Sequence, residues 1–140
     1  MKRLITVTIL GFLALSAGTL AAVDWGHDYD AALETAKKDK KLVLVDLYTD
    51  WCGWCKKLDK DTYSDKDVEA KLTKDFIAVK VNPEKSQRNA KLSGDFGTTG
   101  YPHIVFVDAN GKKVSEIDGY LPAARFLEQL NKISEKAMKK

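Results

Sequence analysis

Cysteine and histidine are scarce in this sequence, with two of each in 140 residues. Cys52 and Cys55 stand together, whereas His27 and His103 lie far from them along the chain. Zinc takes four ligands, or three and a water, and one Cys-x-x-Cys supplies only two. The spacing argues against a metal clip. An excess of one charge is also missing: the formal net charge is +3, acids and bases are mixed throughout, and only "KAMKK" near the C-terminus is locally basic. That is the pattern of a solvated face, and no nucleic acid is expected as a partner. There is no internal repeat, and no linker is long enough to divide the chain, so one domain of common size is expected. With 44% hydrophobic and 31% charged residues, the composition is that of an ordinary soluble globule.

The longest uncharged stretch sits at the front. Lys2 and Arg3 precede "LITVTILGFLALSAGTL", which carries no charge, and Ala21 and Ala22 follow. This is the layout of a secretory signal peptide. Thr19 favours cleavage after Ala21, because a cut after Ala22 would leave bulky Leu20 near the scissile bond. The run also approaches the ~20 residues that span a bilayer, so retention as an anchor is the alternative; Gly11, Gly18 and the small-residue end favour cleavage. No cysteine follows the run, which argues against a lipid-modified start. A signal peptide over residues 1–22 and a working domain over 23–140 are expected, periplasmic or otherwise exported.

The remainder alternates helical and extended patterns. "DYDAALETAKKDKK" spaces Ala32, Leu33 and Ala36 on one face, with Asp28 or Asp30 as N-cap. "KLVLVDLY" is an apolar, β-branched run that suits a strand buried on both faces, interrupted only by Asp46. The cysteines follow, then a charged helical stretch with Leu58 inward. "SDKDVEAKL" opens with a capping-box pattern, Ser64 to Asp67, and "FIAVKV" reads as a second buried strand. Asn82 and Pro83 resemble the N-cap and first residue of a helix carrying Ala90 and Leu92. "HIVFVD" and "KVSEID" flank Asn110-Gly111, a strong hairpin signal. Pro122 then opens a helix with Phe126, Leu127, Leu130 and Ile133 on one face. The order gives a βαβ unit followed by ββα: an α/β domain with a mixed sheet covered on both faces.

A disulfide between Cys52 and Cys55 would close a loop with only two residues inside it, so its gain as a staple is small. A reactive pair fits better. A buried strand running into Cys-x-x-Cys and then a helix places Cys52 at the helix N-terminus, where free N–H groups and the macrodipole favour a thiolate. Cys52, expected to be the more exposed, attacks a substrate disulfide, and Cys55, one turn inward, resolves the mixed disulfide. Gly53 lets a partner's backbone come close. Trp51 is either core or docking surface, and Trp54 is expected to be an exposed apolar platform for unfolded or peptide substrates.

At these residues the sequence resembles the thioredoxins. "VDLYTDWCGWCK" looks like their active-site stretch, with Asp46 in the place of the aspartate six residues before the first cysteine. "FIAVKVN" is similar to their following strand, and Lys80 fills the position of its buried lysine. In "FGTTGYPHIVFVDANGK", Pro102 stands where the family has a cis-proline, and "DGY" puts Gly119 at its glycine near the substrate groove. The likeness covers roughly residues 25 to 135. The extended "KKLDKDTYSDKDVEAKL" departs from plain thioredoxin and is closer to exported thioredoxin-like domains similar to the C-terminal domain of membrane thiol:disulfide interchange reductases.

Asp46 is either a general base that takes the proton from Cys55 or a strand-end acid with a local hydrogen bond. Lys80 either pairs with Asp46 or snorkels to the surface. The resemblance implies that a cis Tyr101-Pro102 bond lets Tyr101 bond to a substrate strand; the plainer reading is a trans proline ending a loop. His103 is expected to face the sheet or solvent, and His27 the surface. The resemblance implies an exported thiol:disulfide oxidoreductase of thioredoxin-like fold that exchanges disulfides with protein or peptide substrates. It needs no cofactor and acts as a monomer. Gly-Trp between the cysteines adds no positive charge beside Cys52, which argues against an extreme oxidant; Lys56 and Lys57 offer the thiolate some stabilisation but oppose the macrodipole, and the reading leans to a reductase. A membrane-embedded or other thiol-disulfide partner would then keep the pair reduced. An oxidase or isomerase, and a binding module with a merely structural disulfide, are the alternatives.

Overall fold

The computed structural model describes residues 22–139. The expected signal segment lies outside them, apart from Ala22 at its end. Helix α1, Tyr29–Asp39, is capped by the Asp28 carboxylate accepting from the Ala31 N–H at 3.0 Å, which decides between the two candidate caps. Strand β1, Leu42–Leu47, leads to α2, Gly53–Leu58, which continues as a π-helical turn, Asp59–Tyr63. Helix α3, Lys66–Asp75, strand β2, Phe76–Val81, and helix α4, Gln87–Asp95, follow. Strands β3, His103–Val107, and β4, Lys113–Asp118, form the hairpin, and α5, Ala123–Met138, closes the chain.

The sheet order is β2-β1-β3-β4, with β1 and β2 parallel and the other neighbours antiparallel. Because side chains alternate along a strand, β1 divides cleanly. Val43, Val45 and Leu47 pack with α1 and α4 residues such as Ala32, Ala36 and Leu92. Leu44 faces the other way, onto Leu58, Val68, Leu72, Phe126 and Leu130 from the helices of the opposite layer. The period-two rule puts Asp46 on that second face, under the cysteine helix. It also puts Lys80 there, since Asp46 and Lys80 are direct partners in the β1–β2 register. The expected mixed sheet with helices on both faces is therefore what forms.

Three boundary expectations are corrected. Asp65, not Ser64, caps α3: its Oδ1 accepts from the N–H groups of Asp67 and Val68 at 3.0 and 3.1 Å. Ser64 instead donates its hydroxyl back to the Lys60 carbonyl. Helix α4 is capped by Ser86 rather than by Asn82. Asn82 is used up in a turn, its Oδ1 accepting from the Glu84 N–H at 2.9 Å and its carbonyl from the Lys85 N–H at 3.2 Å. Pro122 is the N-cap of α5 rather than its first residue, and the Phe126 N–H bonds to its carbonyl at 3.0 Å. The hairpin turn adds a residue that periodicity did not single out: Asp108 Oδ1 accepts from the N–H groups of both Asn110 and Lys112.

Candidate active site

Strand β1 ends in a tight turn in which the Cys52 N–H donates to the Thr49 carbonyl at 3.3 Å. Cys52 is itself the N-cap of α2: its Sγ accepts from the Cys55 N–H at 3.1 Å, and its carbonyl from the Lys56 N–H at 3.2 Å. The two cysteines are joined as a disulfide with Cα atoms 5.3 Å apart. The expected contrast in exposure is absent in this oxidised form, where Cys52 is 5% and Cys55 4% exposed. The bond holds both sulfurs at the helix end, so the outer one is nearly as covered as the inner.

Below the pair, Asp46 is fully buried and ion-paired. Lys80 Nζ lies 2.7 Å from Asp46 Oδ2 and 2.6 Å from Asp59 Oδ1. Lys80 therefore pairs rather than snorkels. Its ammonium is also ringed by aromatic faces, 4.8 Å from Trp25, 5.1 Å from Tyr48 and 5.3 Å from Tyr63. Burial pushes the Asp46 carboxyl above its usual range, opposed by the Lys80 charge. Burial acts to lower the Lys80 pKa, but the two carboxylates outweigh it and hold it above the ordinary lysine value. Asp46 Oδ1 and the Tyr63 hydroxyl are both buried without a hydrogen-bond partner. They are near enough that burial and the Asp46 charge together drive the Tyr63 pKa well up. Burial thus favours the uncharged Asp46 carboxyl, while Lys80 favours the charged one.

The rim of the site is aromatic. Trp51 is surface rather than core: it is strongly exposed, donates its indole N–H to Glu84 Oε1 at 2.9 Å, and meets Tyr101 edge-on with centroids 6.0 Å apart. Trp54 is exposed as expected and lies against Tyr120 at 5.6 Å. At Gly53 an added Cβ would meet nothing within 4 Å, so the approach over the motif is open. The Tyr101-Pro102 bond is cis, and Gly119, with φ +79°, donates its N–H to the Pro102 carbonyl at 2.9 Å. That bond ties Gly119 to the proline loop.

His103 falls on the face of the sheet opposite Asp46, since it pairs with Leu47 while Asp46 pairs with Ile104. It is buried, with Nδ1 2.9 Å from Thr98 Oγ1 and Nε2 3.2 Å from Glu116. It fastens the proline loop to β4 and is no candidate for the chemistry; His27 is exposed. Sequence reasoning missed Asp59, Tyr63, Trp25, Glu84 and Tyr120. Asp59 and Tyr63 had a signal, because Cys55, Asp59 and Tyr63 recur at helical spacing. Trp25, Glu84 and Tyr120 reach the site only through the fold.

A thioredoxin-like domain model matches residues 29–134. The thiol:disulfide interchange protein DsbD of Actinobacillus pleuropneumoniae is 38% identical over 101 residues, covering 71% of this chain and 17% of that protein. The chain thus spans less than a fifth of the length of such curated relatives. Among solved structures, a thioredoxin from Thermus thermophilus aligns with TM-score 0.75 and 25% identity over 84% of this chain and 91% of that one. The oxidised C-terminal domain of Neisseria meningitidis DsbD aligns with TM-score 0.64 and 25% identity, covering 78% and 98%. With the fold, the strand-end cysteine pair, the buried acid and the cis-proline in one site, this chain belongs to the thioredoxin-like domain family.

Proposed function

We propose that the protein is an exported thiol:disulfide oxidoreductase that reduces disulfides in protein or peptide substrates. The observation that carries this is the placement of the Cys52–Cys55 disulfide at a helix N-terminus above the buried Asp46–Lys80 pair. The Cys55 N–H that meets Cys52 Sγ at 3.1 Å offers a hydrogen bond to a Cys52 thiolate, and the helix end adds its dipole. The relatives named as interchange proteins support the same chemistry.

In the reduced protein, the Cys52 thiolate attacks one sulfur of a substrate disulfide. A Cys52–substrate bond forms, the substrate S–S bond breaks, and the leaving thiolate takes a proton from solvent. Asp46 then accepts the Cys55 proton, and the Cys55 thiolate attacks Cys52. The mixed disulfide breaks, and the second substrate sulfur leaves as a thiolate that is protonated from solvent while Asp46 returns its proton to solvent. Two electrons pass to the substrate, and the protein is left in the disulfide form seen here. A dithiol partner, membrane-embedded or otherwise, restores the reduced pair. Tyr101, Pro102, Gly119, Gly53 and the two tryptophans form the surface on which the substrate strand lies. The signal-like residues 1–22 support export.

Insulin reduction by the protein and by Cys52→Ser tests the catalytic reading; equal activity leaves only a binding module. Equilibration against a glutathione or dithiothreitol series tests the direction, and a potential well above about −180 mV would assign an oxidase or isomerase instead. Cys55→Ala is expected to stall the mixed disulfide and retain substrates covalently.

A further inference from the structure

Lysines are scattered along the chain, but the fold gathers several at the end of the sheet farthest from the cysteines. Strands β1 and β2 begin there, with Leu42 opposite Phe76, and β3 ends there, with Val107 opposite Val43. Helices α1, α3 and α5 finish at the same pole. Lys40, Lys41, Lys74, Lys112, Lys136 and Lys139 stand on these segment ends, against Asp39, Asp75 and Asp108. Two of the three acids are already engaged. Asp75 pairs with Lys71 at 2.5 Å, and Asp108 accepts the Asn110 and Lys112 N–H groups of the hairpin turn. Lysines at helix ends offset the macrodipoles, but Lys112 lies in the hairpin, where no helix ends. Lys113 and Lys132 are paired with Glu116 and Glu128, whereas Lys112 and Lys136 have no ion-pair partner among the described residues. These four lysines rim a groove of about 510 Å³ whose apolar lining includes Leu42, Val114 and Ile133. Met138, strongly exposed, follows the last groove residue, Ala137. The chain also enters the domain on this side, since Val23 and Asp24 share a second hollow with Lys41, Thr73 and Phe76. An anchor retained ahead of Val23 would hold the same pole to a bilayer.

We propose that this pole docks on an anionic phospholipid bilayer, its lysines on headgroup phosphates and Met138 with the groove in apolar contact, so that the cysteine end faces away from the membrane. Lysine stems lie along apolar surface while their ammonium groups reach the phosphates. Each lysine close to an anionic surface strengthens binding by about fivefold. The segment ends carry no arginine and no exposed aromatic side chain, the groups that read bases or stack on them, which favours lipid over nucleic acid. The proposal adds a place of action to the exchange reading and stands independently of it.

The test uses residues 22–140, which hold the whole described fold, and vesicles of phosphatidylcholine alone or with one third phosphatidylglycerol. Co-sedimentation at low salt is expected to show binding to the anionic vesicles at least about tenfold stronger than to the neutral ones, and lost near about 0.5 M salt. Lys112→Glu combined with Lys136→Glu is expected to weaken it by about tenfold or more and to leave insulin reduction unchanged. Lys85→Glu combined with Lys91→Glu makes the same change of net charge in the segment after β2, away from the pole. It is expected to cost no more than about threefold. Cys52 of the reduced, vesicle-bound protein is expected to be alkylated as fast as in free protein. Equal binding to both vesicle types, equal losses in the two charge-reversed variants, slower alkylation on the vesicles, or tighter binding to duplex DNA at the same salt would overturn the proposal. Wild type that binds the vesicles as expected but fails to reduce insulin would defeat the exchange reading alone.

Discussion

Asp46 and Lys80 face each other across the parallel strands β1 and β2 and form a 2.7 Å ion pair under the cysteine helix. Asp59, on the turn that follows that helix, grips the same ammonium from the other side. One cation thus serves a fully buried carboxylate and a half-exposed one, and the buried one still stands above its ordinary pKa. The consequences can be measured.

Asp46→Asn is expected to slow resolution of the mixed disulfide by about a hundredfold near neutral pH, the scale of a positioned general base. Stopped-flow decay of the mixed disulfide reads this directly. The stability effect has the opposite sign. A raised folded pKa contributes stability that is full below the ordinary carboxylate pKa and is lost as pH rises through the raised value. Above that raised value the wild type carries a buried charge that the variant lacks. Urea unfolding is expected to show Asp46→Asn the more stable there, with the gap closing towards about pH 4.

Lys80→Met keeps the stem and removes the charge that holds Asp46 down. The Asp46 pKa then rises further, and the pH at which resolution reaches half its plateau moves up. At about pH 7 the rate is expected to fall roughly tenfold and to recover at higher pH. A pH–rate profile with an unmoved midpoint would separate Lys80 from Asp46. Asp59→Asn is expected to move the midpoint the other way, downwards and by less, because the Asp59 charge raises the Asp46 pKa and the 2.7 Å pair stays intact.

Trp25→Ala removes the ring that packs on Tyr63 at 4.7 Å and covers the Lys80 ammonium at 4.8 Å. The side chain is only half-buried, so the loss is expected at about 2 kcal/mol, below that of a fully buried tryptophan. Trp25→Phe is expected to recover most of it. Chemical denaturation with both variants checks the pair, and equal losses would mean that the ring contacts contribute nothing.

Gly111→Ala and Gly97→Ala form a controlled comparison. Both glycines have positive φ, +81° and +73°, so both substitutions carry about 1–2 kcal/mol of backbone cost. At Gly111 a Cβ would also sit 3.1 Å from the Tyr29 hydroxyl, whereas at Gly97 it meets nothing within 4 Å. Gly111→Ala is expected to be the more destabilising of the two in a urea titration. Equal losses would show that Tyr29 yields freely.

Much of this protein was legible along the chain, because the relevant physics is local. Unbroken apolar, β-branched runs in "KLVLVDLY" and "FIAVKV" dictate buried strands, and helical spacing dictates α1, α3 and α5. Asn110-Gly111 dictates the hairpin, and a strand running into Cys-x-x-Cys dictates that Cys52 begins a helix. Helix starts were less legible where neighbouring residues compete to cap, as with Ser64 against Asp65. Asn82 was lost to a turn that only the Glu84 and Lys85 amides reveal.

The amino-acid sequence alone determined the α/β order, the cysteine pair at a strand–helix junction, and an acid and a base each breaking an apolar strand. Whether Lys80 meets Asp46 or reaches for water was decided by strand register, which depends on long-range pairing. The ring of Trp25, Tyr48 and Tyr63 about its ammonium, and the seat of Trp54 on Tyr120, were likewise settled by the tertiary structure. Those contacts join residues far apart along the chain, and no local periodicity encodes a distance that only the packed layers create.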